Sequence, residues 1–326
     1  MENFENISAG ALSSAMPECL AVMVNLGDCK GIMDSLHQTF PTRGYKVYVV
    51  DSSMEKLSRI LLRCREIGVP AIVNCSICDE ATIIASLPQG EPYSATVTAP
   101  GSGNPFLEHI LNDKHATDAS FMGFQGYYSS PDSLERLRSR YFEELRLGAM
   151  REDIALVEPL LRNSGYTFID MKSVRHADYP LPSNPNPNGL YAEEICRLAR
   201  YAGFGLETKV IFLHSLPKEG DPQVCARLVA ETIWHLCEGM ASNISEDPNN
   251  LEEEGHFVRK IVGMGDNGEE IVFINSYTTD RWWMEISSPQ GKGTHIVPCS
   301  SADYRTACCG EIPMRWLFFY QKFALL

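Results

Sequence analysis

From about residue 45 to 245, short apolar runs alternate with stretches whose apolar residues recur three and four positions apart. The first pattern is that of buried strands and the second that of amphipathic helices. Lys46-Val47-Tyr48-Val49-Val50 reads as a buried strand. Asp51-Ser52-Ser53 then offers a cap for a helix through about Gly68, with Leu57, Ile60, Leu61 and Cys64 on one face. Strands are predicted over 70–74, 93–98 and 119–124, with a helix over 79–87. Ser130 before Pro131 marks a helix start, and that helix is expected to run to about Leu145. A helix over 151–163 is expected to end at Gly165 through a left-handed cap. A strand over 166–171, a helix over 192–202 ending at Gly203, a strand over 209–213 and a long helix over 221–240 follow.

Such alternation predicts βαβ units and a three-layer α/β/α domain with a mostly parallel sheet. After residue 245 the pattern changes. Strands at 258–262 and 270–274 suggest a hairpin, 282–286 another strand, and 301–308 and 314–326 two closing helices. The expected organisation is a loose arm over 1–18, then one α/β domain over 19–326 with a small C-terminal β-hairpin insert.

Charge narrows the partners. With 28 basic and 42 acidic side chains the net charge is −14, which argues against nucleic acid and anionic membrane. The acidic run at 252–254 reads as a solvated loop. No basic region opens the chain, and the apolar run at 20–26 is too short to span a bilayer, so a cytoplasmic protein is expected. The 11 cysteines include a lone C-x-x-C at Cys75 and Cys78 and a vicinal pair, Cys308-Cys309. With no second pair at zinc-finger spacing, they read as reduced, mostly buried thiols rather than a zinc site.

Candidate chemistry concentrates in one segment. Phe168-Ile169-Asp170-Met171-Lys172-Ser173-Val174-Arg175-His176-Ala177-Asp178 is a buried strand that ends among ionisable side chains. An Asn/Pro loop at 180–189 follows, and then Asn188-Gly189-Leu190-Tyr191-Ala192-Glu193-Glu194 opens a helix. Loops at strand C-termini build the sites of open α/β sheets. Strand alternation puts Asp170 and Lys172 on one side, which suits either a structural ion pair or a variant active site. His176 and Asp178 could form an acid–base pair or serve the loop structurally. Trp282-Trp283 could line a pocket or pack inward.

This order of elements resembles the ureohydrolases: arginase, agmatinase and formimidoylglutamase. Their signature reads roughly S-x-D-x-D-x-x-D-P, a loop, then G-G-[LF]-x-x-x-E. A bacterial formimidoylglutamase-like branch is the nearer match, through Leu147-Gly148, Arg151-Glu152-Asp153, Glu158-Pro159-Leu160-Leu161-Arg162 and Asp170 to Asp178. It continues through Asn188-Gly189 to Arg200-Tyr201-Ala202-Gly203, and reappears at Arg281-Trp282-Trp283, Val297-Pro298-Cys299-Ser300 and Gly310-Glu311-Ile312-Pro313.

The resemblance implies an arginase-like fold, two Mn²⁺ ions and a bridging hydroxide acting on a guanidino or formimino substrate. It also places Glu194 as a substrate-side residue, and Ser102-Gly103-Asn104, followed by His109, at a substrate loop or an ordinary turn. The metal motifs are degenerate. Val73-Asn74-Cys75-Ser76-Ile77-Cys78-Asp79 lacks the family's Gly-Gly and His, and Thr96-Val97-Thr98-Ala99-Pro100 holds no ligand. Asp170 keeps one ligand position, while Lys172 stands at the next. An ammonium there repels a cation and could replace it.

Two expectations follow. One is a ureohydrolase-fold pseudoenzyme with no cofactor and a binding or interaction role, through a small ligand, a protein partner or a homo-oligomer. The other is an active C–N hydrolase with a variant Mn²⁺ site, its catalytic candidates Asp170, His176, Asp178 and Glu194 and its substrate-binding candidates Ser102, Asn104, His109 and Glu194. Other chemistries find no support. Gly-x-Ser-x-Gly and Walker A motifs are absent, and the G-x-G-x-x-G mimic at 263–268 falls in an expected hairpin.

Overall fold

The computed structural model describes residues 3–12, 19–77, 79–250, 255–264, 269–287 and 293–325. Cys78, the acidic run at 252–254 and residues 265–268 of the G-x-G-x-x-G mimic lie outside the described residues. Contacts divide the chain into two compact units, residues 1–243 and 244–326, where the sequence reads as one domain from residue 19 onward. Each is described by itself.

Among its described residues the first unit carries nine strands: β1 (Phe4–Asn6), β2 (Cys19–Leu26), β3 (Lys46–Ser52), β4 (Ala71–Cys75), β5 (Tyr93–Thr98), β6 (Ala116–Phe124), β7 (Glu143–Arg146), β8 (Tyr166–Asp170) and β9 (Val210–His214). Its helices are α1 (Lys30–Leu36), α2 (Leu57–Ile67), α3 (Glu80–Ala85), α4 (Pro105–Asn112), α5 (Pro131–Ser139), α6 (Leu147–Glu152), α7 (Val157–Arg162), α8 (Ala192–Gly203) and α9 (Gln223–Ser242).

The strands form one sheet in the order β1-β3-β2-β4-β9-β8-β5-β6-β7, and every neighbouring pair is parallel. Strands buried on both faces read as continuous apolar runs, as β2, β4, β8 and β9 do. Successive side chains feed separate cores: Ala21 and Met23 join one, Val22 and Val24 the other. Helices α8 and α9 pack over the first core at a close crossing, where a Cβ on Gly203 would come within 2.7 Å of the Met240 nitrogen.

Several boundaries depart from the sequence reading. Part of the span read as a loose arm is an edge strand, because Phe4 is buried and β1 pairs with β3. Strand β3 continues through Ser52, and α2 begins only after a 3-10 turn at Met54–Lys56; it ends at Ile67, close to the expected Gly68, which caps it in the left-handed conformation. Ser130 caps α5 through a bond from Ser133 N, but that helix ends at Ser139. Tyr141 takes a φ of 51°, so 143–146 become β7 rather than more helix. The helix expected over 151–163 is divided at Asp153, which is extended (φ −150°) and caps a 3-10 turn. Gly165 has no positive φ and leads directly into β8.

The second unit holds a four-stranded antiparallel sheet of β10 (Phe257–Met264), β11 (Glu269–Ser276), β12 (Trp282–Ser287) and β13 (Thr294–Cys299), followed by α10 (Ser301–Cys308) and α11 (Met314–Leu325). Both Trp282 and Trp283 are buried, Trp282 stacked on Tyr304 at 4.8 Å and Trp283 edge-on to Phe257 at 5.7 Å. No helix among the described residues is long and apolar enough to cross a membrane.

Candidate functional site

Strand β8 is buried along its whole length, with Phe168 stacked between Phe106 and Phe212 at 4.7 and 4.9 Å. Where its apolar run stops, Asp170 caps a 3-10 turn over Met171–Ser173, and its carboxylate accepts a hydrogen bond from the Lys172 backbone amide at 3.0 Å. Lys172 therefore sits on a turn, not on the alternating face of a strand. The expected Asp170–Lys172 ion pair gives way to this backbone contact, yet both side chains line one cavity.

Strand β9 lies beside β8 in a register that sets His214 next to Asp170. His214 is 5% exposed, and its Nδ1 lies 3.9 Å from Asp170 Oδ1 and 3.5 Å from Ser215 Oγ. Its Nε2 is buried with no hydrogen-bond partner, and the ring meets Phe106 edge-on at 5.1 Å. Burial pushes the imidazole pKa down. The nearby Lys172 charge adds to this, while Asp170 and Glu80 oppose it.

These groups border a cavity of about 350 Å³ together with Glu80, Asn104 and Asn186. It opens at the carboxyl ends of β5, β8 and β9, where open α/β sheets place their ligands. Asn104 reaches it as the cap of α4, its Oδ1 accepting from Phe106 N at 3.0 Å and Leu107 N at 3.2 Å. Asn186 comes from the Asn/Pro loop and is tied to the Lys172 carbonyl at 3.0 Å. The same end of the sheet collects other buried polar atoms that lack a partner: Asn74 Oδ1, Thr98 Oγ1 and Ser173 Oγ.

The remaining sequence candidates lie elsewhere. Ser102 accepts a bond from Ser130 N at 2.8 Å and holds two loops together. His109, further along α4, faces Asp113 with 3.7 Å between Nε2 and Oδ2. His176 is exposed and bonds the Asn184 carbonyl at 2.7 Å, not Asp178. Asp178 accepts from Arg175 at 2.8 Å and from Ala192 N at 3.1 Å; the Arg175 guanidinium holds its carboxyl below the usual range. Glu194 closes a capping box by accepting from Tyr191 N at 2.7 Å, with Arg151 3.8 Å away. Arg151 and Arg175 flank the Tyr191 ring at 4.3 and 4.2 Å. His176, Asp178 and Glu194 thus build the frame of the 174–194 segment, while Asp170 and Asn104 reach the cavity.

A two-manganese centre does not fit this donor set. Hard cations need several carboxylate and imidazole ligands, yet β4 ends in Asn74-Cys75 and β5 runs into Ala99-Pro100. Among the described residues no group of three or more His, Cys, Asp or Glu side chains is placed to hold a metal ion. His214 was not among the sequence candidates. The signal available was an apolar run, Val210-Ile211-Phe212-Leu213, ending in an imidazole at a strand C-terminus.

No protein-family model matches the sequence, and no curated protein matches it. Solved structures do. A Trypanosoma cruzi formiminoglutamase with Mn²⁺ is similar at 16% identity and a TM-score of 0.58, covering 72% of this chain and 99% of that one. The formimidoylglutamase of Bacillus subtilis is similar at 13% identity and a TM-score of 0.58, covering 69% and 88%. The agmatine ureohydrolase of Thermoplasma volcanium is similar at 13% identity and a TM-score of 0.52, covering 71% and 94%. The chain has the arginase-like α/β fold of these enzymes.

Proposed function

We propose that this protein is a ureohydrolase-fold pseudoenzyme that binds a small ligand, without two manganese ions, in the cavity beside Asp170. One observation supports the reading above others: Lys172 and a His214 held toward its neutral form share that cavity with Asp170. A carboxylate with an ammonium for company does not gather hard cations. The resemblance puts Lys172 where a second carboxylate ligand belongs, so the side chain supplies in place the positive charge that a metal would bring.

The test is metal analysis of the purified full chain, followed by a panel of guanidino and formimino compounds assayed for urea and formamide. Mn well below one equivalent and no product are expected. Near-stoichiometric Mn with turnover would overturn the reading. Lys172→Asp is expected to raise Mn²⁺ affinity, and no gain would count against direct replacement of the metal by the ammonium.

A second reading is an active C–N hydrolase on a guanidino or formimino substrate with a variant metal site. It draws on Glu80, Asp170 and His214 lining one cavity. The same metal and product measurements decide between the two.

A further inference from the structure

We propose that the cavity beside Asp170 takes a carboxylate group, seated between the Lys172 ammonium and His214 Nε2. The inference rests on the metal-free reading above and deepens it by naming the ligand class.

Lys172 and His214 leave hydrogen-bonding capacity unmet at the cavity. Among the described residues, Lys172 forms no ion pair: Asp170, its nearest acid in sequence, takes the Lys172 backbone amide instead. Lys172 and His214 both line the cavity, and the Lys172 charge is felt at the imidazole. His214 is more than nine-tenths buried, and its Nε2 has no partner. The Ser215 hydroxyl lies 3.5 Å from Nδ1; the proposal takes it as the donor there, which puts the ring proton on Nε2. Helix α4 begins at the same wall, with Gly103, Asn104, Pro105 and Phe106 lining the cavity, so the positive end of its dipole adds to the field.

The ligand must therefore bring acceptors. A carboxylate is acceptor-only and answers an ammonium and an imidazole N–H together. A guanidinium is donor-only, so it would leave both groups unanswered and place its charge against Lys172. Two acids border the cavity as well. Glu80 is exposed at the first position of α3, where water screens its charge, and Asp170, which accepts from the Lys172 amide, is the charge that the Lys172 ammonium must offset.

The experiment is a titration of the EDTA-treated full chain with sodium acetate and sodium L-glutamate, with sodium chloride at equal ionic strength as the reference. Guanidinium chloride is titrated in parallel; binding is followed by calorimetry in every chain and by the His214 ring NMR resonances in those that keep the ring. A saturable shift with the carboxylates and none with guanidinium is expected. Lys172→Met and His214→Leu should each weaken carboxylate binding at least about tenfold, the worth of a charge-assisted hydrogen bond. Lys172→Arg should retain most of it, which separates lost charge from lost fold, and Lys114→Met on the exposed surface should change nothing. Saturable guanidinium binding without carboxylate binding, or undiminished affinity in Lys172→Met, would overturn the proposal. Carboxylate binding that appears only after Mn²⁺ is added would instead bring down the metal-free reading. A chain that binds neither Mn²⁺ nor carboxylate would refute this inference alone.

Discussion

The two ends of the parallel sheet carry cavities of opposite character. At the amino ends of β4, β8 and β9 lies the larger one, about 490 Å³, walled by α2 and by apolar side chains such as Leu61, Leu62 and Val69. Its arginine, Arg65, is already paired with Glu91 at 2.7 Å, and none of its lining residues holds a buried side-chain polar atom without a partner. The carboxyl-end cavity is smaller, yet His214, one of its lining residues, has a buried Nε2 without a hydrogen-bond partner, and Asn74 Oδ1, Thr98 Oγ1 and Ser173 Oγ lack one nearby at strand ends or just beyond. Buried polar groups are ordinarily paired, because leaving one unpaired costs about 1–3 kcal/mol. On the proposed reading, volume ranks the two cavities the wrong way round, and the unmet hydrogen-bonding capacity marks the end at which a ligand would bind.

The largest effect expected from breaking this contrast comes from Gly189. Its Cα passes so close to the preceding turn that a Cβ would stand 2.5 Å from Arg175 N and from Ser173 O. That approach holds the bridge between Val174 and Leu190 and seats the loop whose Asn186 walls the cavity. Since the opposing atoms are backbone, Gly189→Ala forces the segments apart, and urea unfolding should show a loss of about 3 kcal/mol. Wild-type stability in this variant would mean that the carboxyl end is not set by the close approach.

His214 offers a sharper test, with the opposite sign. Replacing it by Leu removes an unpaired buried polar atom and keeps roughly its volume, so stability at neutral pH should rise by about 1 kcal/mol. The pH dependence should change as well. Because the folded pKa is lowered, the unfolded chain binds the proton more readily. Wild-type stability thus falls as pH drops through the unfolded value, near about 6.5, and His214→Leu should lose that component. His235 is shifted in the same direction and keeps its own share in both proteins. Identical pH profiles for the two chains would place the imidazole in a solvated or already protonated state.

Much of the carboxyl end was legible in the sequence, and the part that was not has a common cause. Asp170 was found because β8 is a continuous apolar run that stops at an acid, and the Asn/Pro loop announced the cavity wall. Asp178, Glu194 and His176 were also conspicuous, but a loop of this length needs its own caps and turns, and those residues supply them. His214 was missed because its neighbour is set by the sheet. Strand β9 enters between β4 and β8 and brings His214 back from 44 positions beyond Asp170, and nothing local encodes that pairing. Strand β2 escapes the sequence reading for a related reason: a short apolar run argues against a membrane span without announcing a strand, and the place between β3 and β4 is set by the sheet.

A smaller effect belongs to Asp178 and appears only in acid. Its carboxyl is held below the usual range, chiefly by the Arg175 hydrogen bond, so the native state binds fewer protons than the unfolded chain as pH falls into that range. The stability it contributes is present above the unfolded pKa, near about 3.9, and is lost as pH falls through the folded value. Asp178→Asn should therefore unfold more readily than wild type at neutral pH and approach it in strong acid. A constant difference across pH, followed by thermal unfolding, would show that the Ala192 N–H contact, not the charge, is what matters.

The smallest effect is expected at the other cavity, where it tests the premise of the comparison. Arg65 and Glu91 are both more than half exposed, so their ion pair is screened by water and salt. Arg65→Gln should leave the urea midpoint unchanged within error and should not alter carboxylate binding at the opposite end of the sheet. If the larger cavity were the functional one, removing its arginine would weaken ligand binding while His214→Leu and Lys172→Met left it intact. That pattern would reverse the assignment, because it would mean that the unpaired atoms at the carboxyl end are tolerated without a ligand. The expected pattern, binding lost only through Lys172 and His214, ties the ligand to the end of the sheet where hydrogen-bonding capacity is left unmet.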